Sequence, residues 1–171
     1  MSARDEPPPL FSYVGPPGPA ALVRAGVRGH PVRGRRDLDP LPVDPAEPAT
    51  YVVDRAGVLR LAPRRSEHVV CAGGEPVRAA GEMTFERDGA GRWEVREVAN
   101  LSTGYCPDLT SWAAVAEALE GAGIGHPGGF THAVVFRRCE ECRECNVVRE
   151  GWFVCVFCEA ELPGRWNVGP G

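Results

Sequence analysis

The sequence predicts an α+β fold: an antiparallel β-meander of five or six strands with one packed helix and a C-terminal hairpin. Three observations support this. Short apolar segments alternate with polar residues between glycine-containing turns, which is typical of strands. One segment places apolar residues at helical spacing. Two closely spaced cysteine pairs flank a segment of hairpin length. Together these features divide the chain into residues 1–48, 49–138 and 139–171.

Residues 1–48 predict an extended, proline-rich segment. They contain eleven of the 17 prolines and show neither a helical nor a strand period. Proline fixes φ and removes a backbone donor, so it opposes helix formation. The composition favours a disordered tail. The alternative is that the apolar residues 10–15 dock on the rest of the chain like an added strand.

Residues 49–138 predict a β-rich body that begins with three strands. Residues 51–61 read as two strands around a turn at residues 54–57. Residues 68–71 predict a third strand, which would end at the glycines in positions 73 and 74. The start of the body is therefore expected to be entirely β.

Two further strands are expected after these. Residues 82–86 alternate apolar and polar side chains, as a half-buried strand does. After a turn at residues 88–91, residues 92–100 predict the next strand, but its apolar alternation changes face before Val98. Either the end of this strand is buried on both sides, or a bulge near residues 96–97 resets the phase.

One helix is predicted to begin at residues 107–108. Three residues are available as its N-cap: Asp108, Thr110 and Ser111. Four apolar residues form a single stripe: Trp112, Val115, Ala116 and Leu119. Gly121 and Gly123 end the helix, and residues 131–138 predict a last body strand that leads into the cysteines.

Composition restricts the classes of function. The net charge of −4 argues against nucleic-acid binding, which draws most of its affinity from neutralised phosphates. All 19 basic residues are arginine, and lysine and glutamine are absent, as expected from a high-GC bacterial genome. No apolar run approaches the ~20 residues that span a bilayer. Residues 1–9 lack the apolar core of a secretory signal, so we expect a cytoplasmic protein.

Four of the seven cysteines form two Cys-x-x-Cys pairs separated by twelve residues: Cys139, Cys142, Cys155 and Cys158. In a reducing compartment this pattern indicates metal binding rather than a disulfide framework. Four thiolates suit tetrahedral Zn²⁺ and fill its first shell, so the metal is expected to be structural. An iron centre of rubredoxin type is an alternative, and so is Cys145 in place of Cys142. A thioredoxin-like dithiol is disfavoured because that site requires a cysteine pair at a helix N-terminus.

These residues resemble the zinc-ribbon, or rubredoxin-like, family of small metal-binding hairpins. The resemblance covers residues 136–162 and implies that the four cysteines are the ligands. Members of the family usually carry glycine after the second cysteine of each pair, where this chain has Arg143 and Glu159. We therefore expect less regular turns at these two positions.

A second candidate site consists of polar residues near the predicted strand ends: His68, Glu82, Ser102 and Tyr105. If they converge, they supply a base, an acid and hydrogen-bond donors. The alternative is that residues 100–103 cap the helix and Tyr105 packs beneath it. Residues 68–107 also resemble a small β-rich module of predicted bacterial toxins and effectors, in which a histidine stands at the position of Gly104. If that histidine is catalytic, the resemblance implies an inactive or binding relative.

The sequence favours a protein-binding or accessory module with a structural zinc site. Trp152, Phe153 and Phe157 give the short hairpin more aromatic surface than two metal-binding turns can bury. The alternative is an enzyme that uses the four polar residues. A third hypothesis is nucleic-acid binding through five arginines between residues 24 and 36, although the acidic residues 37–47 offset their charge.

Overall fold

Five antiparallel strands form the main sheet of the protein, which we describe from a computed structural model over residues 7–41, 44 and 46–169. The strands are β1 (His30–Val32), β2 (Ala49–Val53), β3 (Leu59–Ala62), β4 (Ala79–Arg87) and β5 (Trp93–Ala99). The helices are α1 (Pro17–Ala20), α2 (His68–Cys71) and α3 (Trp112–Gly121). A separate hairpin consists of β6 (Val135–Arg138) and β7 (Cys145–Val148). The predicted α+β class is confirmed.

The strand order is β1-β3-β2-β4-β5, so β4 lies beside β2 rather than beside β3. Tyr51 of β2 is thus paired with Leu61 of β3 on one side and with Gly81 of β4 on the other. The connection between β3 and β4 contains α2, which packs against β2 and carries the chain past it. The order departs from the predicted sequential meander at two connections, since β1 also lies beside β3 rather than beside β2.

Each face of the sheet carries an apolar core. On one face Val53 packs in a cluster with Leu119 of α3. On the other face Val52 packs in a cluster with Val69 of α2 and with Phe11. Because side chains alternate along a strand, β2 contributes to both cores, and Tyr51, Val52 and Val53 are all fully buried.

The predicted strand at residues 68–71 is wrong, because this segment is the single helical turn α2. Gly73 and Gly74 have φ angles of 65° and 82°. Their N–H groups donate to the carbonyl oxygens of Val70 at 3.0 Å and Val69 at 2.8 Å. This pair of bonds is the Schellman termination of a helix, which favours glycine in the left-handed conformation.

The strands predicted on either side of the 88–91 turn are confirmed as β4 and β5. Consecutive residues of β4 pair with Glu97 and Val95 of β5, so Arg96 between them is the extra residue of a bulge. The bulge resets the alternation, and Val98 joins Val95 in the core that faces α3. Of the two explanations that the sequence left open, the bulge near residues 96–97 is confirmed.

The predicted helix is confirmed as α3, which follows a 3₁₀ turn at Leu109–Ser111. Thr110 donates to the carboxylate of Asp108 at 3.0 Å instead of capping the helix. At the C-terminal end Gly123 has a φ of 69°, and the Ile124 N–H donates to the carbonyl of Leu119 at 2.9 Å. None of the helices in the described residues is long and apolar enough to cross a membrane.

The proline-rich segment docks on the sheet. Phe11 and Val77 exchange two backbone hydrogen bonds of 2.7 and 2.9 Å, as expected for the alternative of an added strand. Further along, β1 pairs with β3 at the edge of the sheet. The prediction of a disordered tail without helix or strand is wrong for residues 7–41. The reason is that Phe11, Val32 and Leu38 are buried, which outweighs the effect of the prolines.

The predicted last body strand, residues 131–138, is confirmed as a strand only over Val135–Arg138, and this strand does not join the main sheet. Val135–Arg138 pairs with β7 and not with the main sheet, because only a short loop separates these two strands in the sequence. Thr131 instead reaches β5 through hydrogen bonds with the backbone of Val98. We refer to residues 135–169, the hairpin and the tail that follows it, as the ribbon.

Candidate metal centre

The ribbon hairpin positions the two cysteine pairs at one end. Cys139 directly follows β6, and β7 runs back from that end to a turn at Glu150 and Gly151. These two residues have φ angles of 52° and 70°, which matches the tight two-residue turn of a hairpin. The chain then returns from Trp152 towards Cys155, so the second pair arrives beside the first.

Both cysteine pairs sit on turns with the same hydrogen bonds. In the first turn the Arg143 N–H donates to the carbonyl of Cys139 at 3.0 Å. In the second the Glu159 N–H donates to the carbonyl of Cys155 at 3.0 Å. Arg143 and Glu159 have φ angles of 68° and 64°, the left-handed conformation that glycine adopts with less strain. The expectation of less regular turns is therefore wrong, since the ordinary geometry is kept at a cost in backbone strain.

The four predicted sulfur ligands converge. All four Sγ atoms lie within 4.8 Å of one another: Cys139, Cys142, Cys155 and Cys158. The Cys139–Cys158 and Cys142–Cys155 sulfur distances are 3.5 and 3.6 Å. Zn–S bonds of about 2.3 Å in a tetrahedron require sulfurs about 3.8 Å apart, so this cluster fits a metal ion of that kind. The structure thus supports a candidate metal site with four thiolate ligands.

Asn146 supports the cluster from β7 and was not identified from the sequence. Its side-chain amide donates to Cys155 Sγ at 3.4 Å, and its carbonyl oxygen accepts the N–H of Val156 at 2.9 Å. The Phe157 N–H also donates to Cys155 Sγ at 3.4 Å. Burial opposes ionisation of the Cys155 thiol, but these donors lower its pKa to about 6. The thiolate form that a metal requires is therefore favoured.

Cys145, the alternative ligand, is directed away from this cluster. It packs instead against Cys106, Phe136 and Val168. Cys142 occupies the fourth position among the clustered sulfurs. The sequence spacing alone did not separate these two cysteines, whereas the strand register does, because Cys145 pairs with Arg138 in the hairpin.

The tail of the ribbon fastens the hairpin to the sheet. The Trp166 indole N–H donates to the carbonyl of Cys106 at 2.8 Å, and its ring meets that of Phe11 edge-on. Asn167 exchanges two hydrogen bonds of 2.8 Å with the backbone of Arg138. These contacts connect the metal centre with both the proline-rich segment and the loop before α3.

The four polar candidates are not gathered in either of two cavities formed by the described residues. His68 lines a cavity of about 210 Å³ together with Tyr13, Thr103 and Gly104, whereas Glu82, Ser102 and Tyr105 are not among its lining residues. His68 Nε2 lies 2.8 Å from the carbonyl oxygen of Gly81, so this nitrogen carries the proton. Burial lowers the pKa of His68 and thereby favours the neutral imidazole.

The hydroxyl groups of Ser102 and Tyr105 form hydrogen bonds within the fold. Ser102 Oγ accepts the Tyr105 N–H at 3.3 Å, and the Tyr105 hydroxyl donates to the carbonyl of Glu75 at 2.8 Å. Both residues are buried. Tyr105 thus packs in the core, as the structural alternative expected, but Ser102 bonds to Tyr105 and does not cap α3, whose N-terminus has no side-chain cap. A catalytic role for the four residues stays a prediction. At Gly104 an added Cβ atom would lie 2.7 Å from the ring of Tyr13, so a histidine there would displace this ring.

A larger groove of about 420 Å³ lies among β1, β3 and α2. Its lining is mainly apolar and includes Val27, Leu61 and Val70, with Arg28 and Arg64 among the polar members. None of the four polar candidates lines it. Sequence analysis missed this groove because its walls come from separate segments of the chain.

Asn100 links the loop before α3 to the segment before β6. Its amide donates to the carbonyls of Pro107 at 3.2 Å and Val134 at 2.8 Å, and its oxygen accepts the Val134 N–H at 2.7 Å. The side chain is fully buried, so water cannot replace these bonds.

Asn100→Ala is therefore expected to lower the free energy of unfolding by about 2–4 kcal/mol, because it leaves buried backbone groups without partners. Urea denaturation measures this loss. Leu101→Ala is the matched control, since the Leu101 side chain is partly exposed, and its effect should stay within about 1 kcal/mol. Equal midpoints for the two variants would contradict the structural role of Asn100.

This chain matches no family model, no curated protein and no solved structure at a significant level. The assignment of the metal centre therefore depends on the geometry and chemistry of its four sulfurs.

Proposed function

We propose that this protein is a zinc-binding interaction module of the bacterial cytoplasm, in which a structural Zn²⁺ ion holds the ribbon in shape for a protein partner. The single observation that carries the proposal is a group of exposed apolar side chains on the ribbon. Trp152, Val156 and Phe157 have relative exposures of 71%, 74% and 62%, higher than the other exposed large apolar side chains of the described residues.

The donor set supports a structural role for the metal. Four thiolates fill a tetrahedral shell, so no position is left for water or a substrate. Soft thiolate ligands suit both zinc and iron, and the closed shell of Zn²⁺ makes it stable without redox change. A reducing cytoplasm keeps the four cysteines available as ligands, which is the basis for the proposed compartment.

The exposed side chains are close enough for one partner to cover. Val156 and Phe157 lie between the ligands of the second cysteine pair, and Trp152 lies beside the hairpin turn. Trp152 and Phe157 are five positions apart in the chain, a span of at most about 18 Å. A standard interface buries about 800 Å² on each partner, which is a patch wider than this span.

The chemistry of these residues suits a protein surface. Tryptophan and phenylalanine are enriched at the centres of protein interfaces, where each buries a large apolar area at a small entropic cost. Phe153 between them is half-buried and lies under the guanidinium of Arg137, 5.6 Å from its ring centroid. Of the three aromatic residues between positions 152 and 157, Phe153 is thus packed internally, and Trp152 and Phe157 are presented to solvent.

We expect the double variant Trp152→Ser, Phe157→Ser to weaken partner binding at least about 30-fold, since residues of this type contribute about 2 kcal/mol or more each when central. The measurement is site-specific photo-crosslinking from position 156 in the producing cells, followed by titration of the recovered protein against the full chain. The metal content and melting temperature of the variant should equal those of the wild type.

Leu22→Ser is the matched control, because Leu22 is also exposed but lies outside the ribbon. It should leave the affinity unchanged. The proposal fails if position 156 yields no discrete cross-linked protein, or if the recovered protein binds the double variant as tightly as the wild type.

A further inference from the structure

Two cysteines outside the metal cluster face each other where the ribbon meets the sheet. Cys106 precedes the turn into α3, and Cys145 begins β7. Both pack in one apolar cluster with Phe136 and Val168. The remaining cysteine, Cys71, lies in the other core beneath the proline-rich segment.

The two thiols differ in access and in charge environment. Cys106 is buried, and its Sγ lies 3.3 Å from the carbonyl oxygen of Thr103. Cys145 is partly exposed. The neighbouring Cys106 thiol, together with the positive charge of Arg138, lowers the pKa of Cys145 below its usual range. Arg138 Nε is buried and has no hydrogen-bond acceptor among the described residues. Cys145 is therefore the thiol that reacts first with a small oxidant.

We propose that Cys106 and Cys145 are a site of oxidative modification that forms a disulfide with hydrogen peroxide as the oxidant. The bond would join the loop before α3 to the ribbon across a chain separation of 39 residues. None of the four cysteines of the metal cluster takes part. The site would thus fix the ribbon to the sheet covalently while leaving the metal ligands unchanged.

The reaction balances in two steps. The Cys145 thiolate attacks one oxygen of hydrogen peroxide, the O–O bond breaks, and the departing hydroxide takes up the released thiol proton as water. The resulting sulfenic acid is attacked at sulfur by Cys106, its S–O bond breaks, and the hydroxide leaves with the Cys106 proton as a second water. The two thiols lose two electrons and two protons, and the peroxide is reduced to two water molecules.

Peptide mapping of the metal-loaded full chain tests the proposal, because arginines separate the relevant cysteines. Trypsin cleaves after Arg96, Arg137, Arg143 and Arg149, which places Cys106 in peptide 97–137 and Cys145 in peptide 144–149. Cys139 and Cys142 fall in peptide 139–143. After treatment with one equivalent of peroxide and digestion without reductant, we expect the linked pair 97–137/144–149, about 2 Da lighter than the sum of its thiol peptides.

Oxidation should also raise the melting temperature by about 10 °C, reversibly on addition of a thiol reductant, since the cross-link constrains the unfolded chain. Cys71→Ser is the matched control and should form the same linked peptide. Cys145→Ser should keep its metal and lose both the linked peptide and the thermal shift. The inference is overturned if peroxide links peptides of the metal cluster instead, or if Cys145 is recovered only as a free thiol or a sulfinic acid.

Discussion

Replacing Cys155 by serine is expected to abolish metal binding and to unfold the ribbon. The buried cluster around the metal ligands is small and consists of Cys139, Val148, Cys155 and Leu162. Two of these four residues are ligands, so the hairpin has little apolar burial to replace the metal. An isolated two-stranded hairpin is at best marginally stable in water.

The energetic contribution of the metal is correspondingly large. Binding of structural Zn²⁺ to small thiolate sites has apparent free energies on the order of 10–16 kcal/mol. Without the ion, ionised thiols such as those of Cys139 and Cys158, whose sulfurs lie 3.5 Å apart, would repel each other. Prolonged treatment of the wild-type chain with a strong chelator is also expected to remove the metal and unfold the ribbon.

Elemental analysis measures the metal content, and hydrogen exchange measures whether the ribbon is folded. The wild-type chain, purified without chelator, should contain one metal atom per molecule, and its β6 and β7 amides should be protected. In Cys155→Ser the metal should be absent and these amides should exchange at unfolded rates, while Cys71→Ser retains both properties. A metal-free wild type, or protected β6 and β7 amides in Cys155→Ser, would rule out the metal as the support of the ribbon.

The metal cluster could be predicted from the sequence because its constraint is local. Two residues between the cysteines of each pair fix the turn, and a hairpin-length segment brings the turns together. Asn146 could not be predicted in the same way. Its bonds to Cys155 and Val156 depend on the register in which it pairs with Arg137, and no spacing rule specifies that register.

Strands β2 to β5 and α3 followed their hydrophobic periods, and two of the errors fall where another local preference competes with the period. At residues 68–71 the two glycines that follow end a helical turn, in which Val69 is buried. In the N-terminal segment the prolines concealed the apolar anchors Phe11 and Leu38. Composition gives the average tendency of a segment, whereas burial is decided by single side chains and their partners in the fold.

The polar candidates show a different limit of prediction from the sequence. The sequence gives the chemical groups of Ser102 and Tyr105 but not whether backbone groups will use them. In the structure the Tyr105 hydroxyl is bonded to the carbonyl of Glu75, thirty residues away in sequence. Small polar residues near a helix start satisfy the backbone as readily as they bind a ligand, so residue type alone does not separate the two roles.

Gly81→Ala is expected to have the second largest effect on the stability of the protein. A Cβ atom at this position would lie 1.9 Å from the carbonyl oxygen of Ala99 and 3.1 Å from Cα of Asn100. Both are backbone atoms at the end of β5, so a side-chain rotation cannot relieve the overlap. The strand end must move instead, and with it the hydrogen bond of 2.9 Å from the Tyr51 hydroxyl to the Ala99 carbonyl.

We expect Gly81→Ala to lower the free energy of unfolding by about 3–5 kcal/mol, the combined effect of overpacking and of a disturbed buried hydrogen bond. Thermal denaturation should show a melting temperature lower by about 10 °C or more. Gly89→Ala is the matched control, because the structure places no heavy atom within 4 Å of its added Cβ. Tyr51→Phe removes the hydroxyl without adding volume and should destabilise the protein by only about 1–2 kcal/mol, since the Ala99 carbonyl then lacks its donor. If Gly81→Ala were no less stable than Gly89→Ala, the close contact between β4 and the end of β5 would not constrain the position of β5.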